Sequence, residues 1–270
     1  MPYHITPDGV PLYYLDEGQG APIILIHGWT MNHKFFDRNI PVLASDHRVV
    51  ALDLRGHGSS GKQEIGWTLP QAARDVHGLI ETLGLDGVTL VGWSMGMTVV
   101  HHYFDQFSGD RLKGAVSVDM TPYLFVEDGW DHGVFGTLDR KASLELERDI
   151  VENRLEVEHG FIPACFADAQ VPDEATREWW LRESMIPSTP AMLAYWVSMS
   201  AYDFRGQLPA TPVPLLLCYG ARSAIYPTPV GNYIAGQVPD GDLVTFEHSG
   251  HSPFWEEAPK FNDVVGHFAR

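Results

Sequence analysis

The run Gly92-Trp93-Ser94-Met95-Gly96 constrains this chain more than any other. It follows a short apolar stretch, Val88 to Val91, that reads as a buried strand, and it opens a stretch from Met95 to Phe107 with apolar residues at helical spacing. A serine held between glycines at a strand-to-helix junction occupies a sharp turn. Only small flanking residues let the two elements approach closely enough to push its Oγ into the open. The helix N-terminus behind it favours developing negative charge. Ser94 is therefore the expected nucleophile.

The rest of the chain repeats this strand-then-helix rhythm. Val10 to Leu15, Ile23 to Ile26, Arg48 to Leu52, Leu112 to Val118, Pro214 to Tyr219 and Asp242 to Phe246 are further strand candidates, each ending at turn residues. Leu69 to Leu83, stopping at Gly84, and Pro259 to Phe268 carry helical patterns. Such alternation predicts an α/β protein with a mainly parallel central sheet and helices on both faces. From Pro122 to about Leu208 no strand pattern appears, so residues 122–208 are expected to form a helical insertion between two parts of one core, residues 1–121 and 209–270. The insertion holds Trp130, Phe135, Phe161, Phe166, Trp179, Trp180, Tyr195 and Trp196, more aromatic surface than a small helical layer buries within itself. A lid over a pocket would use the surplus.

Charge narrows the partners. With 35 acidic and 18 basic residues in 270, the formal net charge is −17, which repels phosphate backbones and anionic lipid headgroups. Nucleic acid and membrane are not expected partners. No apolar run approaches the roughly 20 residues a bilayer span needs, and Met1 to Val10 lacks the pattern of a secretory leader, so the expected location is the cytoplasm. Cys165 and Cys218 match no metal or redox spacing and read as small core residues. Oligomeric state is not legible.

Two loops supply the remaining chemistry. His27-Gly28-Trp29 ends the strand Ile23 to Ile26, where a loop must offer a backbone N–H to an oxyanion; the N–H groups of Trp29 and Met95 are the expected pair of donors. His27 itself reads as a loop-tying residue. Gly250-His251-Ser252-Pro253 follows the final strand, and that position singles out His251 among 13 histidines as the general base, with His248 its nearest competitor. His101 and His102 lack the spacing and carboxylate company of a metal site, and no metal is expected.

Together with Asp53-Leu54-Arg55-Gly56-His57-Gly58-Ser59-Ser60, these motifs resemble the α/β-hydrolase superfamily over nearly the whole chain. The resemblance implies a Ser-His-acid triad at the carboxyl ends of the strands, no cofactor, and a cap inserted after the sixth strand. One element departs from the family pattern. Members commonly carry an aspartate in a G-x-x-D-x-x-x-P turn, whereas this chain reads Gly220-Ala221-Arg222-Ser223-Ala224-Ile225-Tyr226-Pro227. A serine hydroxyl accepts a histidine N–H but does not stabilise an imidazolium as a carboxylate does, and Ser223→Ala is expected to do little. Some members, haloalkane dehalogenases and a fungal lactonase for zearalenone among them, place the acid after the sixth strand. Asp119 stands there and is the expected acid, ahead of Asp128 and Asp131.

The implied activity is hydrolysis of a hydrophobic carboxylic ester or lactone through an acyl-enzyme. Alternatives on the same residues are cofactor-free haloperoxidase or perhydrolase chemistry and C–C bond hydrolysis. A hydrolase-like small-molecule receptor is the reading of another class. Serine at position 94 argues against dehalogenase and epoxide hydrolase chemistry, which need a carboxylate nucleophile. Trp93, Tyr123, Trp130, Trp196 and Tyr226 are the expected pocket residues, and the acidic balance disfavours strongly anionic substrates mildly.

Overall fold

Turn residues divide the chain into strands that pair as one sheet in a computed structural model describing residues 3–270. Met1 and Pro2, the start of the segment read above for a leader, lie outside the described residues. The strands are β1 (Tyr3–Ile5), β2 (Pro11–Gly18), β3 (Ala21–Ile26), β4 (His47–Leu52), β5 (Val88–Trp93), β6 (Leu112–Val118), β7 (Leu215–Gly220) and β8 (Gly241–Phe246). Their order is β1-β2-β4-β3-β5-β6-β7-β8. The β1–β2 and β2–β4 pairs are antiparallel and the others parallel. Every residue of β5 and of β7 is buried, as both faces of a parallel sheet are when helices cover them.

The helices are α1 (Ile40–Leu43), α2 (Leu69–Leu83), α3 (Met95–Phe107), α4 (Arg140–Ala164), α5 (Glu174–Ser184), α6 (Thr189–Ser200), α7 (Pro229–Gln237), α8 (Pro253–Glu256) and α9 (Ala258–Phe268). α2 shows why these residues make a helix. Thr68 caps it by accepting the Gln71 N–H, Leu69, Ala72, Ala73, Val76, Leu79 and Ile80 form its buried stripe, and Gly84 ends it at φ 60°. α2 packs on α3, while α1 packs on α9.

Two of the elements without a readable pattern show what holds such pieces in place. β1 is three residues long, too short for a period, and exists by pairing with β2. α7 contains two glycines, a poor helix composition, and is held by packing on β7 and β8, where a Cβ on Gly231 would lie 3.0 Å from Leu243 Cδ1.

Between β6 and β7 the described chain consists of helices joined by loops, with one isolated bridge, Glu127 with Trp130, and no strand. Asp139, Asp173 and Ser188 cap α4, α5 and α6 through side-chain oxygens. α4 packs on both α5 and α6 and is broken at Asn153, whose φ of −151° and ψ of 58° leave the helical region. Among the described residues no helix is long and apolar enough to cross a membrane.

Candidate active site

Five strands deliver the site at their carboxyl ends: β3 leads to His27-Gly28-Trp29, β5 to Ser94, β6 to Asp119, β7 to the 220–227 turn and β8 to the His251 loop. Ser94 has φ 53° and ψ −121°, a strained conformation held by the close approach of strand and helix around it. A Cβ on Gly92 would sit 2.5 Å from Met97 N. One on Gly96 would overlap Ile26 O and lie 2.9 Å from Ile26 C. Only glycine fits either place. Ser94 is 8% exposed, and Met95, the first residue of α3, has no intrahelical acceptor for its N–H. A Cβ on Gly28 would lie 3.4 Å from Ser94 Cβ, so the loop carrying the Trp29 N–H is pressed against the elbow.

Asp119 and His251 meet 132 residues apart in sequence. His251 Nδ1 lies 2.6 Å from Asp119 Oδ2, both residues being 1% exposed. A carboxylate only accepts, so Nδ1 carries the hydrogen and Nε2 is left with its lone pair. Asp119 has a left-handed φ of 44° and donates its N–H to Cys218 O at the end of β7. The histidine loop is tied from several sides. Trp93 Nε1 donates to the His251 carbonyl at 2.9 Å, Gly250 N–H donates to Glu256 Oε2, and Ser249 Oγ donates to Glu257 Oε2. Among the described residues no direct hydrogen bond joins Ser94 Oγ to His251; such contacts tighten when substrate binds.

Ser223 stands where the family pattern places the acid, and its hydroxyl donates to Asp119 Oδ2 at 2.7 Å. It also accepts from the N–H groups of Ile225 and Tyr226. The sequence reading gave Ser223 no such partner. Its partner could not be read from the sequence, because the two residues meet only through the pairing of β6 with β7.

His27 is a tie. Nδ1–H donates to Gly28 O at 2.8 Å and Nε2 accepts the Leu54 N–H, while burial lowers its pKa to about 4. His248 is exposed, as are Asp128 and Asp131, and Asp131 pairs with His132. His101 and His102 pack against Phe204, their pKa values lowered by burial to about 3 and about 4. Cys165 and Cys218 are buried free thiols.

The expected pocket residues divide. Trp196 lines a cavity of about 630 Å³ together with Trp29, Phe161, Phe135, Val134 and Leu146. Tyr226 does not line it, but its ring is 5.5 Å from that of His251 and its hydroxyl, held against Met120 Sδ, faces Ser94. Trp93 is instead core, wedged against Phe35, Phe36, Trp180 and Phe254. Trp93 is the last residue of β5, a strand buried along its whole length. Tyr123 and Trp130 form a separate cluster under the Arg205 guanidinium, with the Trp130 ring against Tyr233. Of the α4 side of the cavity the sequence reading named only Phe161, among the insertion's aromatics, since a broken helix leaves no continuous stripe to mark the rest.

The Trp29 side chain joins the two regions. Its Nε1–H donates to Met192 O in α6, fixing the loop below to the helices above, and its ring packs against Trp196 and Phe161.

Comparison with known proteins bears on the fold. The chain matches the family model described as alpha/beta hydrolase fold over residues 21–258. It is 30% identical to the bifunctional esterase/perhydrolase DCH of Acinetobacter calcoaceticus over 100% of both chains. It is 28% identical to the AB hydrolase superfamily protein YisY of Bacillus subtilis, over 99% of this chain and 98% of that one. An esterase structure from Exiguobacterium antarcticum superposes with a TM-score of 0.92 at 24% identity, covering 99% of this chain and 98% of the other. The chain belongs to the α/β hydrolase family.

Proposed function

We propose that this protein is a serine hydrolase that cleaves a hydrophobic carboxylic ester or lactone through an acyl-enzyme. The observation that carries the reading is the 2.6 Å pairing of His251 Nδ1 with Asp119 Oδ2, the acid standing at the end of β6, next in the sheet to the β5 strand that presents Ser94, and the histidine on the loop after the edge strand β8. His251 Nε2 takes the Ser94 proton as Oγ attacks the carbonyl, and Asp119 stabilises the imidazolium. The N–H groups of Trp29 and Met95 receive the oxyanion. His251 protonates the leaving alcohol and then activates the water that releases the acid. For a lactone, acid and alcohol are one molecule. Residues 122–208 act as a cap on a core made of residues 1–121 and 209–270, and the aromatic cavity beside Trp29 favours an apolar substrate arm.

The test is hydrolysis of p-nitrophenyl esters of increasing acyl length and of several lactones, wild type against Ser94→Ala. Turnover falling by about three orders of magnitude or more supports the reading. Turnover that survives the substitution overturns it.

A second reading has one specific support, the esterase/perhydrolase name of the 30% identical relative. In that reaction hydrogen peroxide replaces water as acyl acceptor and releases a peracid. Ser94-dependent bromination of a phenolic dye, requiring peroxide, bromide and a short carboxylic acid together, is its measurement.

A further inference from the structure

The cavity beside Trp29 has an apolar floor and an acidic mouth. The rings of Trp29, Trp196 and Phe161 form the floor, with Trp29 to Trp196 centroids 5.3 Å apart and Trp29 to Phe161 5.5 Å. Phe135 belongs to the same lining and is 47% exposed, held at φ 56° with its N–H donating to Ile225 O. Across from it runs the exposed side of α4, where Asp149, Asn153 and Glu156 complete the wall. Those two carboxylates are the only charged side chains in the lining; no lysine, arginine or histidine belongs to it. Asp149 is paired with Arg148 at 3.1 Å, whereas Glu156 has no ion-pair partner among the described residues.

This cavity shares one residue with the candidate site and is tied to it by one backbone hydrogen bond. Trp29 supplies a ring to the cavity and a backbone N–H to the expected oxyanion position. Phe135 is bonded to Ile225, whose neighbour Tyr226 faces Ser94. A substrate arm leaving the reacting carbonyl on the Trp29 side therefore enters aromatic space that opens between carboxylates. Aromatic faces attract cations through the ring quadrupole, and carboxylates at the rim add to that attraction while repelling an anion.

We propose that the cavity selects esters whose apolar arm ends in a cationic group, such as a quaternary or primary ammonium, and rejects esters of the same length ending in a carboxylate. The proposal rests on the ester-hydrolase reading and deepens it by assigning a charge class of substrate. Glu156 is the larger contributor of the two carboxylates, because Arg148 already neutralises part of Asp149. Both are exposed, so screening keeps the effect modest, about tenfold rather than thousands.

The test compares butyrylcholine with its uncharged isostere 3,3-dimethylbutyl butyrate and with the 3-carboxypropyl ester. The expected kcat/KM order is cation above neutral above anion, each step about tenfold, with the span shrinking at high salt. In Asp149→Asn/Glu156→Gln the cation-to-neutral ratio falls at least threefold. A wild-type ratio of one or less, or a ratio unchanged in the double variant, overturns the proposal. Failure of the hydrolase reading looks different: no ester is turned over in a Ser94-dependent way. Binding then reports on the cavity independently, through tryptophan quenching by phenyltrimethylammonium against tert-butylbenzene, with Trp196→Phe assigning the signal. Equal affinity for the two probes overturns the proposal in that case.

Discussion

Ser223 Oγ and His251 Nδ1 converge on a single oxygen, Asp119 Oδ2, at 2.7 Å and 2.6 Å. The carboxylate is thus fixed by a donor from the β7 turn while it holds the imidazole of the β8 loop. On the proposed mechanism Ser223 is a positioning residue for the acid.

Asp119→Asn should lower kcat by about four orders of magnitude while the fold stays intact, because an amide that donates toward Nδ1 selects the wrong imidazole tautomer. Adding Ser223→Asp to that variant should recover about tenfold or more, since a carboxylate on the β7 turn would stand within reach of the same histidine. Steady-state kinetics with matched circular dichroism checks both. A double variant no better than Asp119→Asn would mean the β7 turn cannot bring an acid to His251.

Ser223→Ala should reduce kcat about five- to thirtyfold with little change in KM, the cost of one hydrogen bond to a charged acceptor. Ser223→Thr, which keeps the hydroxyl, should recover most of the loss. Wild-type kcat in the alanine variant would match the small effect expected from its residue type alone.

Gly96→Ala should lower Tm by about 5–10 °C or prevent soluble expression, because the added methyl overlaps the Ile26 carbonyl at the end of β3. Gly236→Ala is the control. A Cβ there meets nothing within 4 Å and the site is helical, so its Tm should hold or rise slightly. Similar thermal scans for the two variants would rule out close packing as the reason for glycine at position 96.

Glu158, fully buried on α4, faces Arg154 at 3.8 Å, and burial raises its pKa from 4.5 to about 7. A folded pKa above the unfolded one means that stability is fully present below pH 4.5 and is lost as pH rises toward and through 7. Glu158→Gln should therefore match wild type in urea denaturation at pH 4 and exceed it at pH 8, by up to about 3 kcal/mol. An offset that is the same at both pH values would show that ionisation of Glu158 is not the cause.

The elbow, the alternation and the terminal histidine loop were legible in the sequence because each is local. Gly92 and Gly96 flank Ser94 within one turn, and a strand or helix announces itself by its own period. The contact of Asp119 with His251 was anticipated from a gap: the turn at Ser223 lacked a carboxylate, and the strand ending at Val118 supplied one. Trp93, Tyr123 and Trp130 were expected in the pocket and lie outside the lining of the Trp29 cavity, because an aromatic side chain has the same identity in a core as in a cavity. Which it occupies depends on what packs above it.

The sequence by itself determined where the elbow, the strands and the chemistry-bearing loops lie, since backbone sterics, hydrophobic period and turn chemistry act over a few neighbouring residues. Only the tertiary structure decided that Ser223 braces Asp119, that Trp93 anchors the His251 carbonyl and that Trp29 joins the elbow to an acid-rimmed cavity. Those contacts join residues from tens to more than a hundred positions apart. Their existence depends on the register of parallel strands and the docking of a broken helix, which no local pattern encodes.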